Sequence, residues 1–249
     1  MPPRYTYPPL LFLQVALDTL LLRPRSLRED ALACVARLEP PLKLIGAENL
    51  PGRGPCAVTV NHYGRPGFGA QWLALGIAAT VPAEMHWIMT NEWTAPGKWY
   101  EPLKSAATRW LLRRLARVYG FTSMPPMPPR EKDVEARARA VRSVLEEAKA
   151  GRDFVLGLAP EGRDSADGSL AEPPPGAGRF LLLLAGRGSR FVPVAAYEAD
   201  GAFCLRFGPG YGLSVPAHLS PDEKDKVAAG IVMSKIAELL PEHLRGAYR

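Results

Sequence analysis

A chain of 249 residues with 47% apolar residues is long enough for one large α/β domain and too apolar for general disorder. A formal net charge of +6 and a sequence pI of about 9.3 favour an anionic partner: a membrane surface, a phosphorylated substrate or nucleic acid. The three cysteines, Cys34, Cys56 and Cys204, lie far apart with neither metal nor redox spacing, which predicts reduced thiols and a cytoplasmic setting.

Residues 1–40 read as an N-terminal helical segment. The first nine are rich in proline and aromatics and predict irregular chain. Leu10–Leu22 predicts a helix that contains Asp18 and has no cleavage site after it. At about 13 residues it falls short of the roughly 20 that a bilayer crossing needs, so it either packs on the domain or lies in the membrane interface. Ser26 predicts the cap of a second helix, with Glu29 at the capping-box position, and Pro40-Pro41 stops it. A single α/β domain follows over residues 41–249.

That domain opens with a short strand, Leu42–Gly46, and a turn over Asn49–Pro55. Cys56–Val60 is an apolar, β-branched run and reads as a buried strand. It delivers Asn61-His62 to a glycine-rich turn, and a helix resumes over Phe68–Ala79. Met85–Thr90 predicts the next strand, Trp93–Trp99 a loop, and Glu101–Val118 a helix with Arg109, Arg113 and Arg117 on one face beside Arg114. That stripe is either a solvated face or a surface for anionic headgroups. Tyr119–Thr122 predicts a short strand, Ser123–Arg130 irregular chain, and Glu131–Ala150 a helix closed by Gly151. A strand over Asp153–Leu158, a loop over Ala159–Gly176 and a helix over Ala177–Gly186 come next. Strands over Arg190–Tyr197 and Ala202–Phe207 precede a last helix, Pro221–Leu240, capped by Ser220. Strands alternating with helices predict a mostly parallel central sheet flanked by helices.

Two strand ends carry the chemistry. His62 stands at the carboxyl end of a strand, where open α/β sheets bind ligands; the plain alternative is a turn histidine bonded to local backbone. The second strand end, Ala159-Pro160-Glu161-Gly162-Arg163, offers a glutamate and an arginine together, which suits an anionic, hydroxylated substrate. His86 reads as a packed strand residue, His218 and His243 as surface residues, and Trp72, Trp87 and Trp110 as core.

In order along the chain, these residues resemble the glycerol-3-phosphate and lysophospholipid acyltransferase family. Leu42–Gly46, Glu48–Pro51 and Gly54-Pro55 are similar to its lead-in. Asn61-His62 matches the start of the motif NHxxxxD, and Tyr119-Gly120-Phe121 with Arg130 resembles the second motif. Pro160-Glu161-Gly162 matches the start of PEGTRS; Gly176–Gly188 and Val192-Pro193-Val194 resemble the fourth motif and its approach. The resemblance implies transfer of a fatty acyl group from acyl-CoA or acyl carrier protein to a hydroxyl of a lysophospholipid or glycerol phosphate. It makes His62 the general base and Glu161 its catalytic companion, with Asn61, Arg65, Gly162, Arg163 and Arg130 around the acceptor. The thioester is a co-substrate; no metal or other cofactor is implied, and the protein is expected in the cytoplasm, in peripheral contact with the membrane. Two positions depart from the family. The motif aspartate five residues after His62 is Gly67, and Arg163-Asp164 stands where the family has threonine-arginine. Gln71, Glu161 or Asp164 could orient the imidazole instead, and Arg65 beside it favours the neutral ring. Loss of the aspartate also fits a non-catalytic lipid- or acyl-thioester-binding protein on the same fold. A nucleic-acid binder is suggested by the charge alone.

Overall fold

A computed structural model describes residues 3–249 apart from 53, 95–96, 127–129, 151–152, 164 and 166. Its centre is a seven-stranded sheet: β1 (Lys43–Ile45), β2 (Cys56–Val60), β3 (Met85–Thr90), β4 (Thr122–Met124), β5 (Val155–Leu158), β6 (Arg190–Ala199) and β7 (Ala202–Phe207). The spatial order is β1-β7-β6-β2-β5-β3-β4. Every neighbouring pair is parallel except β6 and β7. All residues of β2 and β5 are buried, as expected of central parallel strands covered on both faces. The architecture is the mostly parallel α/β sheet that the alternating pattern predicts.

The helices are α1 (Pro9–Leu21), α2 (Leu27–Val35), α3 (Gln71–Thr80), α4 (Glu101–Tyr119), α5 (Val134–Ala150), α6 (Ala177–Ala185) and α7 (Pro221–Ala237). Crossovers β2–α3–β3 and β3–α4–β4 step across the sheet in one direction; β4–α5–β5 and β5–α6–β6 step back. Right-handed crossovers in opposite directions put α3 and α4 on one face and α5 and α6 on the other. On the first face Gly76 of α3 lets the helix approach β7: a Cβ there would sit 2.8 Å from the Phe203 ring. On the second, α7 packs against α6 and β6. Ser220 caps α7 with a reciprocal Glu223 capping box, and the Ser26 hydroxyl caps α2 by accepting from Glu29 N–H.

Some boundaries differ from expectation, each for a local reason. The β6–β7 hairpin turns through Asp200 and Gly201, both at positive φ, so the last strand runs against the sheet. Helix α3 begins at Gln71 rather than Phe68, because the glycine-rich stretch keeps the chain open until then. Helix α4 runs through Tyr119 to a left-handed Gly120, so the strand after it is Thr122–Met124, and the expected irregular stretch starts only beyond Met124. Gly151, the expected helix stop, lies outside the described residues. Trp72 and Trp87 are buried as predicted; Trp110 is half-exposed and belongs to the surface instead. Among the described residues no helix is long and apolar enough to cross a membrane.

Candidate active site

The sheet changes its winding direction between β2 and β5. Helix α3 leaves β2 toward one face and α6 follows β5 on the other, which opens a crevice at the carboxyl ends of these two adjacent strands. His62 and Glu161 are the residues that β2 and β5 deliver there.

Asn61 fixes the end of β2. Its side-chain amide donates to Ala196 O at 2.9 Å, and its carbonyl oxygen accepts from Ala196 N–H at 2.7 Å. The buried amide thus extends the β2–β6 ladder beyond Val60, with both polar groups spent on Ala196. His62 follows immediately, half-buried, and its main-chain N–H donates to Glu161 Oε1 at 3.2 Å.

Glu161 is 2% exposed. Burial raises its carboxyl pKa to about 7, and the N–H groups of His62 and Ala171 restrain that rise. Its other oxygen, Oε2, is buried and has no hydrogen-bond partner among the described residues. The β5 loop also leans on the β2 loop: a Cβ on Gly168 would lie 2.8 Å from Gly64 O and 3.2 Å from the Tyr63 ring. His62 and the Glu161 carboxyl therefore share one packed corner.

The remaining expected residues distribute around this corner. Arg65 lies beside His62 in sequence, but its guanidinium makes a two-pronged pair with Glu198, Nε to Oε2 at 2.5 Å and Nη2 to Oε1 at 2.7 Å. The Tyr5 hydroxyl donates to the same carboxylate at 2.6 Å. Gly67, where the motif of the resemblance has aspartate, sits at φ +82°, so the turn runs through a left-handed residue. Gln71 donates to the Tyr7 hydroxyl at 2.8 Å. Gly162 is also left-handed, at φ +65°, and its N–H closes the turn onto Ala159 O. Arg163 is exposed, and Asp164 lies outside the described residues.

Arg130 follows β4, three strands from β2 in the sheet order, on the same edge. It pairs with Glu92, just past β3, at 3.0 and 3.2 Å, and with Asp133. Arg109 of α4 joins the same buried Glu92 at 2.6 Å. These guanidiniums, Arg130 first, hold the Glu92 carboxyl down at about 2. Sequence reasoning missed Glu92 and Glu198 as organising carboxylates. Each follows or ends a strand without a motif, and its partners lie from 17 to 193 residues away.

His86 lies away from this corner. Its Nε2 is 2.8 Å from Thr122 Oγ1 and its Nδ1 3.1 Å from Glu147, so it ties α5 to β3 and β4 beside a recess of about 340 Å³. Burial lowers its pKa against the pull of Glu147. Among the described residues no three of His, Cys, Asp and Glu converge in a group that could hold a metal ion.

The fold and this corner define a doubly wound α/β protein with a histidine–carboxyl pair at its winding switch. No protein-family model and no curated protein matches the chain. Among solved structures it is similar to the 1-acyl-sn-glycerophosphate (LPA) acyltransferase, PlsC, from Thermotoga maritima. The identity is 18% over 80% of this chain and 71% of that one, with a TM-score of 0.47. The functional reading therefore stands on the residues and their geometry.

Proposed function

We propose that the protein transfers a fatty acyl group from an acyl thioester, acyl-CoA or acyl carrier protein, to a hydroxyl of a lysophospholipid or glycerol phosphate. The observation that carries this reading is the pairing of His62 with Glu161 across two adjacent strands at the winding switch. A hydroxyl is a weak nucleophile at neutral pH and needs a positioned base during attack. His62 takes that proton as the acceptor oxygen bonds to the thioester carbon. The tetrahedral intermediate then collapses, the C–S bond breaks, and the imidazolium returns the proton to the departing thiolate. The products are an ester and a free thiol, and no acyl-enzyme is required.

Glu161 acts mainly on position. One oxygen holds the backbone of His62 and the other is buried in the corner, so Glu161 braces the histidine rather than touching the acceptor. Asn61 serves by fixing the strand end from which His62 projects. Arg130, steadied by Glu92 and Asp133, and the exposed Arg163 are the cations offered to an acceptor phosphate. Arg65 is held by Glu198, so its part is to shape the loop under the acceptor.

Gly67 favours a second reading, a lipid- or acyl-thioester-binding protein that no longer turns over. A supporting aspartate can be worth about 10⁴ in rate in the worked case of a serine protease. The deciding experiment is thiol release from a long-chain acyl-CoA and from an acylated carrier protein across a panel of lysophospholipids and glycerol 3-phosphate. Acceptor-dependent release that falls at least about 10³-fold in His62→Ala, with an unchanged melting curve, is the expected result. A folded His62→Ala protein with full activity would remove the base assignment. Binding of acyl-CoA or lipid without release from either donor would select the second reading.

A further inference from the structure

Helix α4 is longer than the strands it accompanies. It joins the carboxyl end of β3 to the start of β4, so it runs antiparallel to both. Its Thr108 hydroxyl accepts from the N–H of Trp93, three residues past β3, and so marks the level of the sheet's carboxyl edge. Residues 101–107 therefore project beyond that edge by about 10 Å. The overhang and the chain leading to it are apolar and open: Trp99 is 91% exposed, Leu103 73%, and Trp93 and Tyr100 are exposed beside them.

Helix α1 adds to the same edge. Tyr7, just before it, stacks on Trp72 at the start of α3, ring centroids 4.9 Å apart. The far end of α1 is held by the Arg114 guanidinium, which donates to Thr19 O at 3.0 Å. The helix thus begins near the carboxyl edge and runs back along α4, and its most open apolar residue, Leu10 at 74%, is at the edge end.

The charge along this helix is mainly of one sign. Lys98 and Lys104 stand beside Trp99 and Leu103 against a single acid, Glu101, while Arg109 is paired with Glu92 and Arg113, Arg114 and Arg117 follow further along the helix, below the edge. Arg113 and Arg117 are exposed. Aromatic and leucine side chains interleaved with lysines, with a basic helix behind them, match an interface where headgroup phosphates meet acyl chains.

From these features we infer that the α4 overhang, with the start of α1, inserts into the interface of an anionic bilayer, and so presents the edge carrying His62 to the lipid. Insertion of the overhang would let a membrane-resident substrate reach the crevice without leaving the bilayer. This docking surface does not depend on acyl transfer, and its test reads no turnover.

The test is co-sedimentation of the full chain with phosphatidylcholine vesicles, with and without phosphatidylglycerol, at low and high salt. Wild-type protein should sediment with the phosphatidylglycerol vesicles and be released by salt. The double variant Trp99→Glu/Leu103→Glu should lose partitioning by at least about tenfold. Leu183→Glu, an exposed apolar position near the end of α6 toward the opposite edge of the sheet, should leave it unchanged. Melting curves of all three proteins report folding, and substitutions at exposed positions leave it intact. Undiminished sedimentation of the double variant, equal loss in Leu183→Glu, or binding indifferent to phosphatidylglycerol and salt would overturn the inference. So would a wild-type dimer that ignores vesicles and becomes monomeric in the double variant, because the rim would then face a second copy of the chain.

Discussion

The Glu161 carboxyl offers a prediction whose size can be worked from its surroundings. Its folded pKa is about 7 against an ordinary 4.5, because burial opposes the charge. Between those two values the folded state binds a proton that the unfolded chain has released. Stability from this group is therefore fully present below about pH 4.5 and is lost as pH rises through 7. At about 1.36 kcal/mol per pH unit the loss between pH 5 and 8 comes to about 2.5 kcal/mol. Glu161→Gln keeps an oxygen for the N–H groups of His62 and Ala171 and removes the titration. The amide nitrogen takes the place of the unpartnered Oε2, at a cost that does not change with pH. Urea unfolding followed by tryptophan fluorescence, wild type beside variant, separates the two effects. The stability of the variant relative to wild type should rise by about 2.5 kcal/mol from pH 5 to pH 8. A difference that stays level across that range would mean that the carboxyl is not held in a dry corner, and the account of the β2–β5 crevice would fail with it.

Three further substitutions test the frame around the site. Asn61→Ala leaves the buried N–H and C=O of Ala196 unpaired and should cost about 2–4 kcal/mol in urea unfolding, with Asn61→Asp retaining the acceptor half. Glu92→Gln strips two guanidiniums of their shared charge and should cost about 3 kcal/mol at pH 7. Because the folded Glu92 pKa is depressed to about 2, its stabilisation is present above about 4.5 and lost as pH falls toward 2, so the gap to wild type should narrow over that range. Gly168→Ala forces a side chain onto a left-handed residue pressed against Gly64 O and should lower stability by about 1–2 kcal/mol in a thermal melt.

The parts of the site that could be read in the sequence are those encoded locally. An apolar run that halts at glycine marks a strand end, and both Asn61-His62 and Pro160-Glu161-Gly162 sit at such breaks. The parallel sheet follows from the same alternation, and the Ser220 and Ser26 caps were visible as serine–glutamate spacings. Long-range pairings were not encoded that way. Nothing near Arg65 announces that Glu198 will claim it, because the two meet only when β6 pairs beside β2. Trp110 looked like core because helical spacing marks one apolar stripe but does not say which side of the helix meets the sheet. The reversed β7 was within reach: Asp200-Gly201 between two apolar runs is a hairpin signal. The sequence shows a glycine where the motif has aspartate, but not that this glycine takes a positive φ.

Because the crevice opens where the winding reverses, its two walls have separate supports. His62 comes from a strand whose continuation, α3, lies on one side of the sheet. The carboxyl comes from a strand whose continuation, α6, lies on the other. Lengthening or rewriting residues 162–176 would remodel the Glu161 wall while the Asn61 anchor kept His62 in register, and changes in 63–70 would do the converse. Such a scaffold can vary one wall at a time, so in the proposed reaction the acceptor preference could diverge while the histidine stayed in place.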